Sequence, residues 1–347
     1  MGEKKYLYIF SLLILLFVGF HFITWNLITK KFFIYNEDIR VGGLGRLSYL
    51  SKSLILRKDE QSLPNKHTQY NDSVEIDVLT IGDSFSRGGG GGSNKYYQDH
   101  IATIQNLKVM NVKSSNKGHI ETILILSSNG ILDKLNPTSI ILQSVERSAI
   151  DRYAKLIDWD IGLKNNSTSF LDKKYSHFKP KPAFINKLNY RALLYPLLYK
   201  YDDNAIFSKT YIAPLTKNLF SCEDKDRLLF YYADLKNLSK SNNKSVDLLN
   251  KNLNKLQKIL SEKNIKLYFM PSVDKYNLYS KYIQNNQHQK STFFEMLRAL
   301  KREYTFIDTK MILEKMLDDN ISDVYYCDDT HWSFKASEVI FKQVKLK

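Results

Sequence analysis

Three short runs in this chain, "VLTI" at 78–81, "IIL" at 140–142 and "LYFM" at 267–270, are apolar at nearly every position rather than at every second one. A short strand of that kind is covered on both faces, which means a parallel sheet clothed by helices. The segments around these runs agree. "LKVMNVKSSNKGH" holds another short strand, and "TFID" a further one. "HIETILILSSNGILDKL" carries apolar residues at helical spacing and ends near Asn136-Pro137. "SVDLLNKNLNKLQKILSEKN" puts Leu249, Leu253, Leu256 and Leu260 on one helical face, with Ser245 as the expected N-cap. "TFFEMLRALKREY" is a second amphipathic helix, and the tail "VYYCDDTHWSFKASEVIFKQVK" reads as a loop and a closing helix. Strand and helix in alternation predict an α/β fold with a parallel sheet.

That domain does not begin at the N-terminus. Tyr6–Ile28, "YLYIFSLLILLFVGFHFITWNLI", is 23 residues without a formal charge, between Lys4-Lys5 and Lys30-Lys31. Its length suits the hydrocarbon core of a bilayer, it exceeds a signal-peptide core, and no small-x-small cleavage site follows it. The reading is a short tail (1–5), a transmembrane anchor (6–28), a juxtamembrane connector (29–72) and the α/β domain (73–347). Residues 152–240, rich in Tyr, Asn and Lys, break the alternation and read as an insertion or lid-like excursion. Basic residues lie on both sides of the anchor, so the positive-inside count leaves its orientation open.

Lys and Arg exceed Asp and Glu by 15, which favours anionic partners, yet the basic residues are spread along the chain with no nucleic-acid module among them. Nucleic acid is therefore not an expected partner. The two cysteines, Cys222 and Cys327, form neither a CxxC pair nor a metal cluster, and whether they pair with each other stays open. No metal or nucleotide cofactor is implied.

The chemistry concentrates in "LTIGDSFSRGGGGGSNK", residues 79–95. The glycine run is no P-loop, since Lys95 falls at the wrong offset and no Ser or Thr follows it. Gly88–Gly92 reads instead as a mobile loop, joining two elements or admitting a bulky ligand, with the joining role preferred. Ser84 is the sharper signal: it follows a strand end and a turn-permitting glycine, where free N–H groups can face an oxyanion. A serine nucleophile needs an imidazole and a carboxylate. "CDDTHWS" supplies both, with His331 two residues after Asp329 and three after Asp328.

GDSF near the domain start and Asp-x-(x)-His near its end resemble the SGNH hydrolase superfamily. "YYCDDTHWS", "MPSVDKYNLY" and "ILQSVERS" narrow the resemblance to the branch of the alginate O-acetyltransferases of the bacterial periplasm. The resemblance covers most of 73–347 outside the excursion. It implies a flavodoxin-like three-layer fold, Ser84 as nucleophile, His331 as general base and Asp329 as the acid, with Asp328 as the alternate. Gly118 matches the second oxyanion donor, with Asn116 nearby. The superfamily's Gly-x-Asn-Asp block is not visible, and Glu146-Arg147 follows "IILQSV" instead. Arg147 then faces an oxyanion or a sugar carboxylate, or forms an ion pair with Glu146. Lys275, Tyr276 and Trp332 are expected near the substrate, the alternatives being a solvated loop for the first two and packing for the last. The resemblance further implies O-acetylation of an exported polysaccharide, an acyl donor delivered by a membrane-embedded partner, and a domain on the extracytoplasmic side. Water in place of the sugar would make the same machinery an esterase, and a retained fold without catalysis would make a polysaccharide-binding or assembly protein.

Overall fold

In the computed structural model, which describes residues 2–34, 38–50, 55–71, 74–164, 167–171, 182–206 and 208–346, the central element is a six-stranded sheet. Its strands are Thr68–Gln69 (β1), Val78–Ile81 (β2), Val109–Val112 (β3), Ser139–Val145 (β4), Lys266–Ser272 (β5) and Thr305–Phe306 (β6). They lie in the order β6-β5-β4-β2-β3-β1, and every neighbouring pair is parallel. All residues of β2, β3 and β4 are buried, which is why their sequences are apolar without alternation.

Counting β2 as the first strand of the repeating unit, the five strands from β2 to β6 run 2-1-3-4-5. That is a doubly wound order, whose reversal point falls between β2 and β4. Ligands bind beyond the carboxyl ends of strands at such a point, and the residues after β2 are the ones singled out by the sequence. The sixth strand, β1, comes from the stretch read as a connector. Residues 29–72 are therefore partly built into the domain rather than merely leading to it.

The helices follow from their patterns. Asn243–Ser261 buries Leu249, Leu253, Leu256 and Leu260 as one stripe. Its N-cap is Asn242, not Ser245. The Asn242 side chain accepts from the Ser245 N–H, and Ser245 Oγ accepts from the Asn242 N–H, so Ser245 closes a capping box from the first turn. The "HIETILILSSNGILDKL" segment is two helices, His119–Ser128 and Ile131–Leu135, broken at Gly130, which adopts φ +67°. Among the described residues of 152–240 none adds a strand to the main sheet. They contain a helix, Leu188–Leu198, and an antiparallel ladder pairing Thr210–Pro214 with Arg227–Tyr231. The apolar N-terminal segment is a single helix, Glu3–Leu27 (α1), long and apolar enough to cross a membrane and exposed along nearly its whole length. Only His21 and Thr24 on it are buried.

Candidate active site

β2 delivers the chain at Ile81, and the next five residues are clamped by side chains from neighbouring strands. A side chain at Gly82 would collide with Ser86 and Gln143, so only glycine fits where β2 passes β4. Gln143 Oε1 accepts from the Asp83 N–H (2.9 Å) and from Ser86 Oγ (3.0 Å). The Ser86 carbonyl takes hydrogen bonds from Asn111 (2.9 Å) and Gln98 (3.0 Å). Asp83 accepts from the Phe85 and Val145 N–H groups and pairs with Arg152. Burial alone would raise the Asp83 carboxyl, but Arg152 and these N–H donors outweigh it and bring the pKa down to about 2. The side chains of Asp83 and Ser86 are thus held by neighbours, and the residue left partly open between them is Ser84.

Ser84 Oγ lies 2.8 Å from His331 Nε2, and His331 Nδ1 lies 2.6 Å from Asp329 Oδ1. The two segments are 247 residues apart in sequence. Burial pushes the Asp329 carboxyl up. The adjacent His331, Arg57 and the Gly43 N–H more than offset this and hold it well below the usual carboxylate range. It is therefore an anion at neutral pH, able to fix the tautomer of the ring and to stabilise an imidazolium. Among the described residues the Ser84 N–H has no acceptor, which leaves it available to an oxyanion. Phe85 packs on the His331 ring with centroids 4.6 Å apart and on Trp332 at 4.8 Å. Trp332 is buried and works as packing behind the histidine.

The two aspartates differ in their partners. Asp329 holds the imidazole, whereas Asp328 is fully buried against Arg57, itself fully buried, and accepts from the Gly42 N–H. Desolvation raises the Asp328 carboxyl despite that arginine. The connector thus supplies backbone donors to both carboxylates: Gly42 to Asp328 and Gly43 to Asp329 (2.8 Å). Arg57 also stacks over the Tyr326 ring at 4.6 Å. These contacts span about 270 to 290 residues, and no local pattern announces them.

The five glycines are not a mobile joiner. Gly88, Gly90, Gly91 and Gly92 are buried, and the run packs between His331 and the connector. A Cβ at Gly89 would stand 2.6 Å from His331 Cε1, 2.9 Å from Cδ2 and closer still to Nε2. Gly91 adopts φ +74° with the Arg40 guanidinium against it, and Arg40 Nη2 donates to the Gly89 carbonyl at 2.7 Å. Glycine is required here because the backbone itself forms the wall beside the imidazole.

The remaining expected residues divide. Gly118 stands at the carboxyl end of β3, next to β2, as the residue preceding the helix His119–Ser128, with φ +139°. Asn116 is exposed in the same loop. Arg147 does not pair with Glu146: it is bound to Asp274 and Asp234 (3.2 Å), and Asp234 comes from the excursion. Glu146 instead accepts from the Asp274 N–H, Asn277 and Ser291. Lys275 is no solvated loop residue. Its ammonium is buried and donates to the carbonyls of Tyr326 (2.7 Å), Cys327 (2.9 Å) and Asp329 (3.1 Å), bracing the loop that carries the histidine. That burial lowers its pKa to about 8. Tyr276 bonds to Asn286 and to the carbonyls of His288 and Gln289, with no link to the triad. Cys222 and Cys327 are both buried. One neighbour went unnoticed in the sequence: His119, hydrogen-bonded to Tyr153 at 2.7 Å, is pushed down to about 4 by burial and then by Arg152.

Among the described residues no group of His, Cys, Asp and Glu is arranged to hold a metal ion. No family model, curated protein or solved structure matches the chain.

Proposed function

We propose that this protein is a membrane-anchored serine acyltransferase of the SGNH type, acting through an acyl-Ser84 intermediate on a hydroxyl of an exported polysaccharide. One observation carries the reading. Ser84, His331 and the ionised Asp329 form a continuous hydrogen-bonded chain at the reversal point of a doubly wound sheet. In the first half-reaction Ser84 Oγ attacks the acyl carbonyl while His331 Nε2 takes its proton. Asp329 stabilises the imidazolium, and the N–H groups of Ser84 and Gly118 receive the developing oxyanion. The imidazolium then protonates the leaving group. In the second half-reaction His331 deprotonates a sugar hydroxyl, which attacks the acyl-serine and regenerates the free enzyme.

The net charge of +15 suits an acidic glycan as acceptor. The residue resemblance to alginate O-acetyltransferases supports an extracytoplasmic domain and a membrane-embedded partner that delivers the acyl group. No cofactor enters this scheme.

The test is to incubate the full chain in detergent with an activated acetyl ester, with and without acidic oligosaccharides. Acetyl-Ser84 by mass spectrometry, discharged onto the oligosaccharide faster than onto water, is the expected result. An adduct that water clears as fast as the sugar does makes the protein an esterase. No adduct at all, under conditions that acylate a known serine acyltransferase, removes both catalytic readings.

A further inference from the structure

The helix Leu188–Leu198 is amphipathic the wrong way round for a helix on a water-facing domain. Its inner face carries Asn189 and Ala192, both buried. Its outer face carries Tyr190, Leu193, Leu194 and Leu197, at spacings of three and four residues, each 44–54% exposed. Tyr201, just past the helix, is 89% exposed. A water-facing helix normally turns its large apolar residues inward.

The position of the helix identifies what covers that stripe. Asn189 Nδ2 meets His21 Nδ1 at 2.5 Å, and Thr29 Oγ1 donates to Asn189 Oδ1 at 2.5 Å. These contacts tie it to the last turns of α1 and to the turn that follows, and Phe22 packs edge-on to Phe184. On the domain side, Arg191 hydrogen-bonds to the Tyr49 hydroxyl and Tyr195 packs on the Tyr49 ring. The helix therefore bridges the apolar anchor and the catalytic domain, and it packs against the end of α1, where Phe22, Ile23 and Leu27 are exposed as its own leucines are. The stretch of α1 from His21 to Leu27 rises roughly 10 Å, the thickness of the layer in which an interfacial helix lies. Exposed Lys187 and Lys200 flank the helix, as basic residues do at lipid headgroups.

We infer that Leu188–Leu198 lies in the membrane interface, its Tyr190–Leu193–Leu194–Leu197 stripe seated in lipid, so that the domain is held against the bilayer at two points. The inference rests on α1 spanning a bilayer. Lipid is the occupant because the stripe belongs to a helix packed on the end of the apolar anchor and is flanked by basic residues.

The experiment places an environment-sensitive NBD fluorophore at Leu194→Cys, at Leu15→Cys within α1, and at Lys251→Cys on the far helix Asn243–Ser261. The full chain is reconstituted in phosphatidylcholine–phosphatidylglycerol vesicles carrying nitroxide-labelled acyl chains, and the parent chain with its two buried thiols gives the background. The expected result is blue-shifted emission and lipid quenching at positions 15 and 194, with neither at 251. Quenching at 15 with water-like emission at 194 overturns the inference and leaves the anchor intact. Blue-shifted emission at 194 without lipid quenching also overturns it, by showing a protein surface or a second copy there instead. Absence of quenching at both 15 and 194 removes the anchor and the inference together.

Discussion

Replacing Gly89 with alanine tests the packing beside the histidine most sharply. The added methyl would lie 2.6 Å from His331 Cε1, against 3.4 Å for ordinary contact, so the ring must withdraw by at least 0.8 Å. Such a retreat lengthens the 2.8 Å Ser84–His331 contact beyond hydrogen-bonding reach. A misplacement of about 1 Å at a reacting pair costs on the order of 10²-fold in rate. The backbone at Gly89 is not in the left-handed region, so alanine adds no conformational strain and the fold should survive. Gly43→Ala is the matched control: its Cβ would sit 3.8 Å from Asp329 Oδ2, in ordinary contact, and the Gly43 N–H would still donate. The assay is the rate of acetyl-Ser84 formation, with thermal melting run in parallel. The expected outcome is about a 10²-fold fall for Gly89→Ala and near-parent behaviour for Gly43→Ala, with both variants folded. Parent-like acylation in Gly89→Ala would refute the claim that the glycine backbone walls the imidazole.

The two aspartates should separate cleanly. Asp329→Asn is expected to slow acylation on the order of 10⁴-fold with modest loss of stability, as a carboxylate that fixes a tautomer does, whereas Asp328→Asn should lose stability first. Arg57→Met strands the buried Asp328 and should cost about 3–5 kcal/mol in denaturant unfolding, with the double variant Arg57→Met, Asp328→Asn recovering much of it. Asp83, depressed from 3.8 to about 2, contributes stability that is present above 3.8 and is lost as the pH falls through 2. The stability gap between the parent and Asp83→Asn should therefore be about 2 kcal/mol at pH 7 and should narrow below pH 4, read by denaturant titration at each pH.

What the sequence made legible was whatever depends on local pattern. Continuous apolar runs gave away the central strands, and the leucine stripe of Asn243–Ser261 followed from its spacing. Strand–GDS and Asp-Thr-His found each other across the chain because nucleophilic chemistry demands a base and a carboxylate, and no other histidine had that setting. The failures share a cause. Gly42, Gly43, Arg40 and Arg57 belong to a stretch with no periodicity, and their work is done against residues far away in sequence. The glycine run looked flexible because glycine is permissive when unpacked, yet here its lack of side chains is what lets backbone and imidazole approach. Arg147 beside Glu146 suggested a local pair, while burial joined it to carboxylates 87 and 127 residues away.

The central claim is that His331 activates Ser84 for nucleophilic attack. Its most direct measurement is labelling of the native full chain with a fluorophosphonate, followed by peptide mass spectrometry. The account predicts modification of Ser84 at close to one label per chain, abolished in Ser84→Ala and greatly slowed in His331→Ala with the fold retained. An unlabelled Ser84 in the folded protein, or equal labelling in the parent and His331→Ala, would contradict it.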